Sequence, residues 1–241
     1  KMTDCACPTS CPLAMTAQML NKSGPRRLSV PTATSWQISR DGRDFSFHLK
    51  RDARFHDGPP VTDYAFVFSF SRVFRLDPEQ ATLAREYLGV IEGAQDFALG
   101  KTDSISGLST EGDYVLKVRL EKPYASFLHA VASEFSRVVP RAYVTRHGDD
   151  VLSTQPVGAG PFRLVSWNVG NEIVLERFDD YHGGAAYLER VIVHTPPDPV
   201  LPRAIAAFRR DELHMVDLTL SGRKGMPESR ARPDGSGGRS G

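Results

Sequence analysis

His48, His56 and Asp57 are the side chains whose types and spacing could do chemistry together. Two imidazoles and a carboxylate within ten positions are the groups used for zinc ligation and for general acid–base catalysis. Strand-like alternation, however, places His48 on a polar face, and His56-Asp57-Gly58 has the composition of a turn. We therefore predict a turn held by its own side-chain hydrogen bonds, and retain a small metal-dependent hydrolase as an alternative.

Two other motifs bear on metal and nucleotide binding. Cys5, Cys7 and Cys11 cluster near the start of the sequence, but a closed zinc site needs four ligands and no histidine lies nearby. An odd number of cysteines does not complete a disulfide framework either. Gly158-x-Gly160 lacks the third glycine of a dinucleotide loop, since position 163 is arginine. We predict no metal, no cofactor, no catalytic residue and no enzymatic activity.

The elements that position these residues follow from hydrophobic periodicity. Alternation at Trp36 and Ile38 and again over 45–49, around Asp41-Gly42, predicts a β-hairpin with one buried face. Thr62 is placed to cap a helix. The remaining pattern predicts helices over 62–74, 79–100 with a break at Gly93, from Pro123 to Val131 and over 200–210, and strands over 114–120, 162–167, 172–178, 188–195 and 215–218. Irregular mixing of strands and helices predicts an α+β or mixed α/β fold.

Composition sets the boundaries of the packed region. All 13 Phe, 7 Tyr and 2 Trp lie between Trp36 and Phe208, whereas residues 1–33 and 221–241 contain none and are each net basic. We predict disordered segments over 1–33 and 221–241, flanking a domain over 34–220. The balance of 30 basic and 29 acidic residues argues against nucleic acid as a partner. The weakly apolar run over 12–20 does not predict a signal peptide.

Two separated blocks of sequence resemble a known family. The first contains A-T-S-W-Q-I-S-R-D-G and R-F-H-D-G-P-P between Ala33 and Pro60, and the second contains P-V-G-A-G-P-F from Pro156 and Y-H-G-G from Tyr181. Their order and spacing, with a weaker piece over 209–218, resemble the bacterial extracellular solute-binding proteins of family 5. That family comprises the peptide- and nickel-binding proteins of ABC importers. The resemblance implies these structural signature residues: Trp36, Asp41, Gly42, Phe55, His56, Asp57, Gly58, Gly158, Gly160 and Pro161.

The resemblance also implies fold, function and location. We expect part of a type II periplasmic-binding-protein-like fold, one lobe with an inserted subdomain, the second lobe being missing. The implied function is capture of peptides, or of another small solute such as a nickel chelate or a sugar, for delivery to ABC permease subunits. We expect a periplasmic or lipid-anchored cell-surface location for the parent protein. Tyr87 and Thr219 are the candidate ligand-binding residues. The alternative is a non-transport interaction domain on the same scaffold.

Departures from the family pattern are concentrated in two places. After the F-H-D-G turn the family helix begins T-A-E-D-V, whereas here Ala65 stands where the acid would complete a capping box with Thr62. Residues 1–32 and those after Leu218 resemble no part of the family. We therefore expect a truncated or frame-shifted product of such a gene, which translation of the flanking DNA in all frames would test.

Overall fold

The computed structural model describes residues 32–76, 81–133, 136–194 and 200–216. The chain forms two compact units, the first ending at His194 and the second beginning at Thr195. The cysteine cluster, both predicted disordered segments and Thr219 lie outside the described residues, apart from Thr32 and Ala33. Among the residues that are described, no helix has the length and apolar character needed to span a membrane.

The first unit contains a four-stranded antiparallel sheet. Its strands are β1 (Ala33–Ile38), β2 (Asp44–Leu49), β3 (Leu108–Thr110) and β4 (Val115–Arg119), in the order β1-β2-β4-β3. The predicted hairpin joins β1 to β2, with Gly42 at a φ of +69° in the connecting turn, a conformation that glycine adopts without steric cost. Alternation along β2 buries Phe45, Phe47 and Leu49 as expected.

Helices cover the buried face of this sheet. They are α1 (Asp63–Val73), α2 (Thr82–Leu88), α3 (Ala94–Ala98), α4 (Phe127–Ala132) and α5 (Arg141–His147), followed by a 3₁₀ helix over Asp149–Ser153. Phe47, Phe70 and Phe127 are among the largest fully buried side chains of the resulting core. The rings of Phe45 and Phe127 lie 4.9 Å apart, so β2 and α4 meet through direct aromatic contact.

A second antiparallel sheet follows in the same unit. It consists of β5 (Phe162–Asn168), β6 (Glu172–Arg177) and β7 (Arg190–His194), in that order. Phe162, Ile173, Leu175 and Ala186 form its own small buried cluster. The segment from Pro156 to Pro161 leads into β5, so it connects the helices of the first sheet to the second sheet. In the second unit, α6 (Val200–Arg209) is the one described helix.

The mixed α+β class is confirmed, and several local predictions are corrected. Helix α4 begins at Phe127 and not at Pro123, because residues 123–126 form a turn in which the Phe127 N–H donates to the Tyr124 carbonyl. Ile38 is 48% exposed, at the end of an edge strand. Thr62 occupies the N-cap position without a side-chain capping bond. Met215 and Val216 lie outside any strand.

Candidate functional site

A tight turn places His56 next to the segment that leads into β5. The Phe55 N–H donates to the Pro59 carbonyl and the Gly58 N–H to the Phe55 carbonyl, both at 2.9 Å. Gly58 has a φ of +104°, which a side chain would strain. Phe55 points into the core at 2% exposure, and this anchoring fixes the direction of the next residue.

His56 bonds to a segment about a hundred residues away. Its backbone N–H donates to the Gly158 carbonyl at 2.8 Å, and the Gly158 N–H lies 3.3 Å from the ring Nδ1. Its Nε2 lies 3.0 Å from the Gly160 carbonyl oxygen. Because a carbonyl only accepts, Nε2 carries the proton and Nδ1 is the acceptor, as in a neutral imidazole. The predicted turn is present, but its histidine bonds outside the turn.

Burial keeps this imidazole neutral. The His56 ring packs edge-on against Phe178, with centroids 5.1 Å apart. Desolvation lowers the pKa of His56 below its ordinary value of 6.5, and the nearby positive charge of Arg163 acts in the same direction. The bond to Gly160 and the charge of Asp57 oppose that shift without reversing it.

A second histidine forms another contact between the two halves of the unit. The Nζ of Lys50, directly after β2, lies 3.2 Å from the Nδ1 of His182, which belongs to the turn after β6. An ammonium only donates, so Nδ1 accepts and Nε2 holds the ring proton. That Nε2 is buried without a partner among the described residues. Desolvation, then the charge of Lys50, lowers the pKa of His182 to about 4.

We call the contacts of His56 and His182 the histidine junction. Both ring nitrogens of His56 are engaged by backbone groups, so this side chain is occupied in holding two chain segments together. His48 lies instead on β2, opposite Ser35 and Val115, and its side chain forms no hydrogen bond or ring contact with His56 among the described residues. Across the described residues, no group of three or more His, Cys, Asp or Glu converges to hold a metal ion. The geometry therefore supports a structural role for His56.

The other predicted signature residues lie in the β1–β2 hairpin, in the turn that contains His56 and in the segment before β5. Trp36 is partly buried against the core. Asp41 accepts a 2.5 Å hydrogen bond from the Ser39 hydroxyl, which with the Arg43 N–H holds the pKa of that carboxyl below its ordinary value. Asp57 is exposed, and Pro161 is buried, its carbonyl accepting from the Phe178 N–H at 2.9 Å.

The structure describes one of the two candidate ligand-binding residues. Tyr87 lies on α2 and is half-buried, but it lines neither of the two grooves described below. Thr219 lies outside the described residues. Both assignments remain predictions.

The two grooves each have a volume of about 490 Å³, within the range of small-molecule sites. One lies between α5, the segment 154–157 and β5, and includes Tyr143, Gln155 and Trp167. The other lies between α1, α3 and α5 and includes three arginines. Neither groove was expected from the sequence. The Lys50–His182 contact was not expected either, because the two residues lie in distant segments that share no periodic pattern.

Comparison with known proteins adds a family to this geometry. The model of bacterial extracellular solute-binding proteins, family 5 Middle, matches residues 30–226. The chain belongs to this family. Both ends of the histidine junction fall inside the matched range, so the junction is part of this member's family domain.

Curated family 5 relatives include peptide-binding proteins. The chain is 32% identical over 170 residues to the periplasmic oligopeptide-binding protein OppA of Escherichia coli, covering 68% of this chain and 30% of OppA. It is 29% identical over 193 residues to the probable D,D-dipeptide-binding periplasmic protein DdpA of Escherichia coli, covering 78% of this chain and 33% of DdpA. The chain thus spans about a third of the length of these relatives.

A solved family structure confirms the fold. OppA of Haemophilus influenzae in complex with the peptide RPPGFSPFR superposes with a TM-score of 0.67 at 26% identity, covering 76% of this chain and 36% of that one. The fold class predicted from the sequence, part of a type II periplasmic-binding-protein fold, is therefore correct.

Proposed function

We propose that this chain is part of the substrate-binding component of an ABC importer that captures peptides outside the cytoplasmic membrane. The observation that supports this function is the family match over residues 30–226, together with the similarity to an oligopeptide-binding and a probable D,D-dipeptide-binding periplasmic protein. The proposed partners are peptides and the membrane-embedded permease subunits. The proposed location is the periplasm, or the cell surface with a lipid anchor.

The histidine junction fits a binding role better than a catalytic one. A binding protein must hold the segments of each lobe in a fixed relation while its lobes close on a ligand. His56 and Lys50 connect the four-stranded sheet to the segments flanking the three-stranded sheet, and neither side chain is arranged against a nucleophile. This proposal leaves Tyr87 and Thr219 as candidate ligand contacts.

A thermal-shift screen of the purified chain tests the function. Pools of di-, tri- and longer peptides should raise the melting temperature, because a ligand that binds only the folded state stabilises it. Nickel–histidine and a disaccharide serve as comparison ligands. A chain that melts cooperatively but responds to no peptide pool would favour the non-transport interaction domain.

Tyr87 gives a residue-level test of the same proposal. With a peptide that binds, Tyr87→Ala should weaken affinity by about tenfold, the effect of losing one aromatic anchor. Tyr187→Ala, at an exposed tyrosine that lines neither groove, is the matched control. Equal affinities for the parent chain and Tyr87→Ala would remove Tyr87 from the ligand site.

A further inference from the structure

The groove between α1, α3 and α5 combines an apolar floor with a basic rim, and we call it the arginine groove. Ile105, Leu108 and Val144 form much of the floor, each no more than 9% exposed. Arg72, Arg75 and Arg141 stand at its edge, with Asp103 and Asp149. Its volume is about 490 Å³, so it is large enough for a small organic molecule.

The charges of the rim do not cancel. Arg72 is paired with Asp149, so its guanidinium is already neutralised. Arg75 lies over the Phe97 ring, 5.1 Å from the centroid, a cation–π contact that leaves its positive charge in place. Arg141 forms no ion pair with any described residue. Among the described residues that line the groove, two guanidinium groups and one carboxylate, that of Asp103, thus remain outside the Arg72–Asp149 pair.

Two contacts connect the helices that line the groove. Helix α1 is tied to the segment before α5 by the Val139 N–H, which donates to the Ser69 hydroxyl at 3.0 Å. The Arg72–Asp149 pair joins the end of α1 to the first residue of the 3₁₀ helix that follows α5. These two contacts link α1 to the chain on either side of α5.

We propose that the arginine groove binds a small amphipathic monocarboxylate, a molecule with one carboxylate and an apolar chain or ring. The apolar part would displace water from the floor formed by Ile105, Leu108 and Val144. The carboxylate would pair with Arg141 at the rim, with Arg75 as a second positive charge. A guanidinium offers two parallel N–H donors to a carboxylate, which favours this anion over an uncharged molecule of equal size. This proposal does not rest on the proposed peptide capture.

Calorimetric titration of the purified chain with octanoate, next to 1-octanol, tests the site. Octanoate should bind saturably with one-to-one stoichiometry, and 1-octanol should bind at least tenfold more weakly. Arg141→Gln should weaken octanoate binding by about tenfold, since a charge-assisted hydrogen bond is lost. Arg146→Gln is the matched control, because Arg146 is exposed on the same helix but does not line the groove.

Three outcomes would overturn the proposal. These are no saturable octanoate binding, equal binding of octanoate and 1-octanol, and equal effects of the Arg141 and Arg146 substitutions. Arg141 is exposed at the first position of α5, and a cooperative melt of Arg141→Gln near that of the parent chain separates lost binding from lost folding. Peptide binding in the thermal-shift screen would stand unchanged if octanoate failed.

Discussion

The Nε2 of His56 lies 3.0 Å from the carbonyl oxygen of Gly160, although 104 positions separate the two residues in the sequence. This bond connects the R-F-H-D-G-P-P turn to the P-V-G-A-G-P-F segment. The two blocks of sequence that carry the family resemblance are therefore in direct contact in the folded chain. Its central side chain is a neutral histidine.

Removing the His56 side chain should destabilise the chain. His56→Ala deletes the two hydrogen bonds of the imidazole ring, to Gly158 and Gly160, and the ring contact with Phe178. We therefore expect a loss of about 2–3 kcal/mol in the free energy of unfolding. Urea denaturation at pH 7.5 measures it. Asp57→Ala, at the exposed neighbouring position, should stay within about 0.5 kcal/mol of the parent. Equal effects at both positions would contradict a bridging role for His56.

Acid should weaken the fold through His182. The folded-state pKa of about 4 lies below the ordinary value of 6.5, so the unfolded chain takes up a proton first as pH falls. The contribution of His182 to stability is therefore complete above pH 6.5 and is lost progressively down to about pH 4.

The size of this acid effect can be isolated with a variant. Because the group is only partly buried, we expect a contribution on the order of 1–2 kcal/mol after solvent screening. Urea denaturation of the parent chain and His182→Gln at pH 7.5, 6 and 5 measures the difference, in which other titrating groups cancel. A constant difference between the two proteins across this range would refute the assignment.

Lys50 should hold the His182 pKa down. Lys50→Met replaces the lysine by an uncharged side chain of similar shape and removes a positive charge 3.2 Å from Nδ1. The pKa of His182 should therefore rise toward 6.5 while remaining lowered by burial. NMR titration of the imidazole signals follows this value directly. Lys122→Met, at an exposed lysine, is the control and should leave it unchanged. An unaltered His182 titration in Lys50→Met would show that the two side chains do not interact in solution.

Local pattern explains which elements could be predicted from the sequence. The alternation of Phe45, Phe47 and Leu49 predicted β2 and its buried face correctly, because one strand in contact with a core imposes a period of two. Helix α5 was missed because Val144 is its one buried residue, which gives no apolar stripe. Strand β3 has three residues, too few to show any period.

Long-range contacts needed the folded chain. Lys50 and His182 are 132 positions apart, and neither neighbourhood contains a signal that specifies the other. The resemblance did predict that the His56 turn and the Gly158–Pro161 segment belong to one scaffold, but not that His56 bonds directly to Gly158 and Gly160. The arginine groove is likewise assembled from α1, α3 and α5, which lie far apart in the sequence, and α5 itself was not predicted.

Asp63 places a buried carboxyl group at the start of α1. Its side chain is fully buried, Oδ1 accepts from the Tyr64 N–H at 2.8 Å, and Oδ2 has no partner among the described residues. Desolvation raises the pKa of this carboxyl above its ordinary value, so the charged form destabilises the fold as pH rises past 3.8.

Asp63→Asn keeps the acceptor for Tyr64 and removes that charge. At pH 7 we expect the variant to be as stable as the parent or more stable by up to about 1 kcal/mol. Urea denaturation at pH 7 checks this prediction, with Asp63→Ala as the variant that also loses the acceptor. A loss of stability in Asp63→Asn equal to that in Asp63→Ala would mean that the charge itself stabilises the start of α1.

Native mass spectrometry of the purified chain in an equimolar mixture of short peptides, nickel–histidine and a disaccharide tests the proposed function most directly. The mass added to the folded chain identifies the ligand class without choosing it beforehand. We predict a one-to-one complex whose added mass is that of a peptide. A folded chain that carries no ligand, or that takes nickel–histidine or the sugar in preference to every peptide, would contradict it.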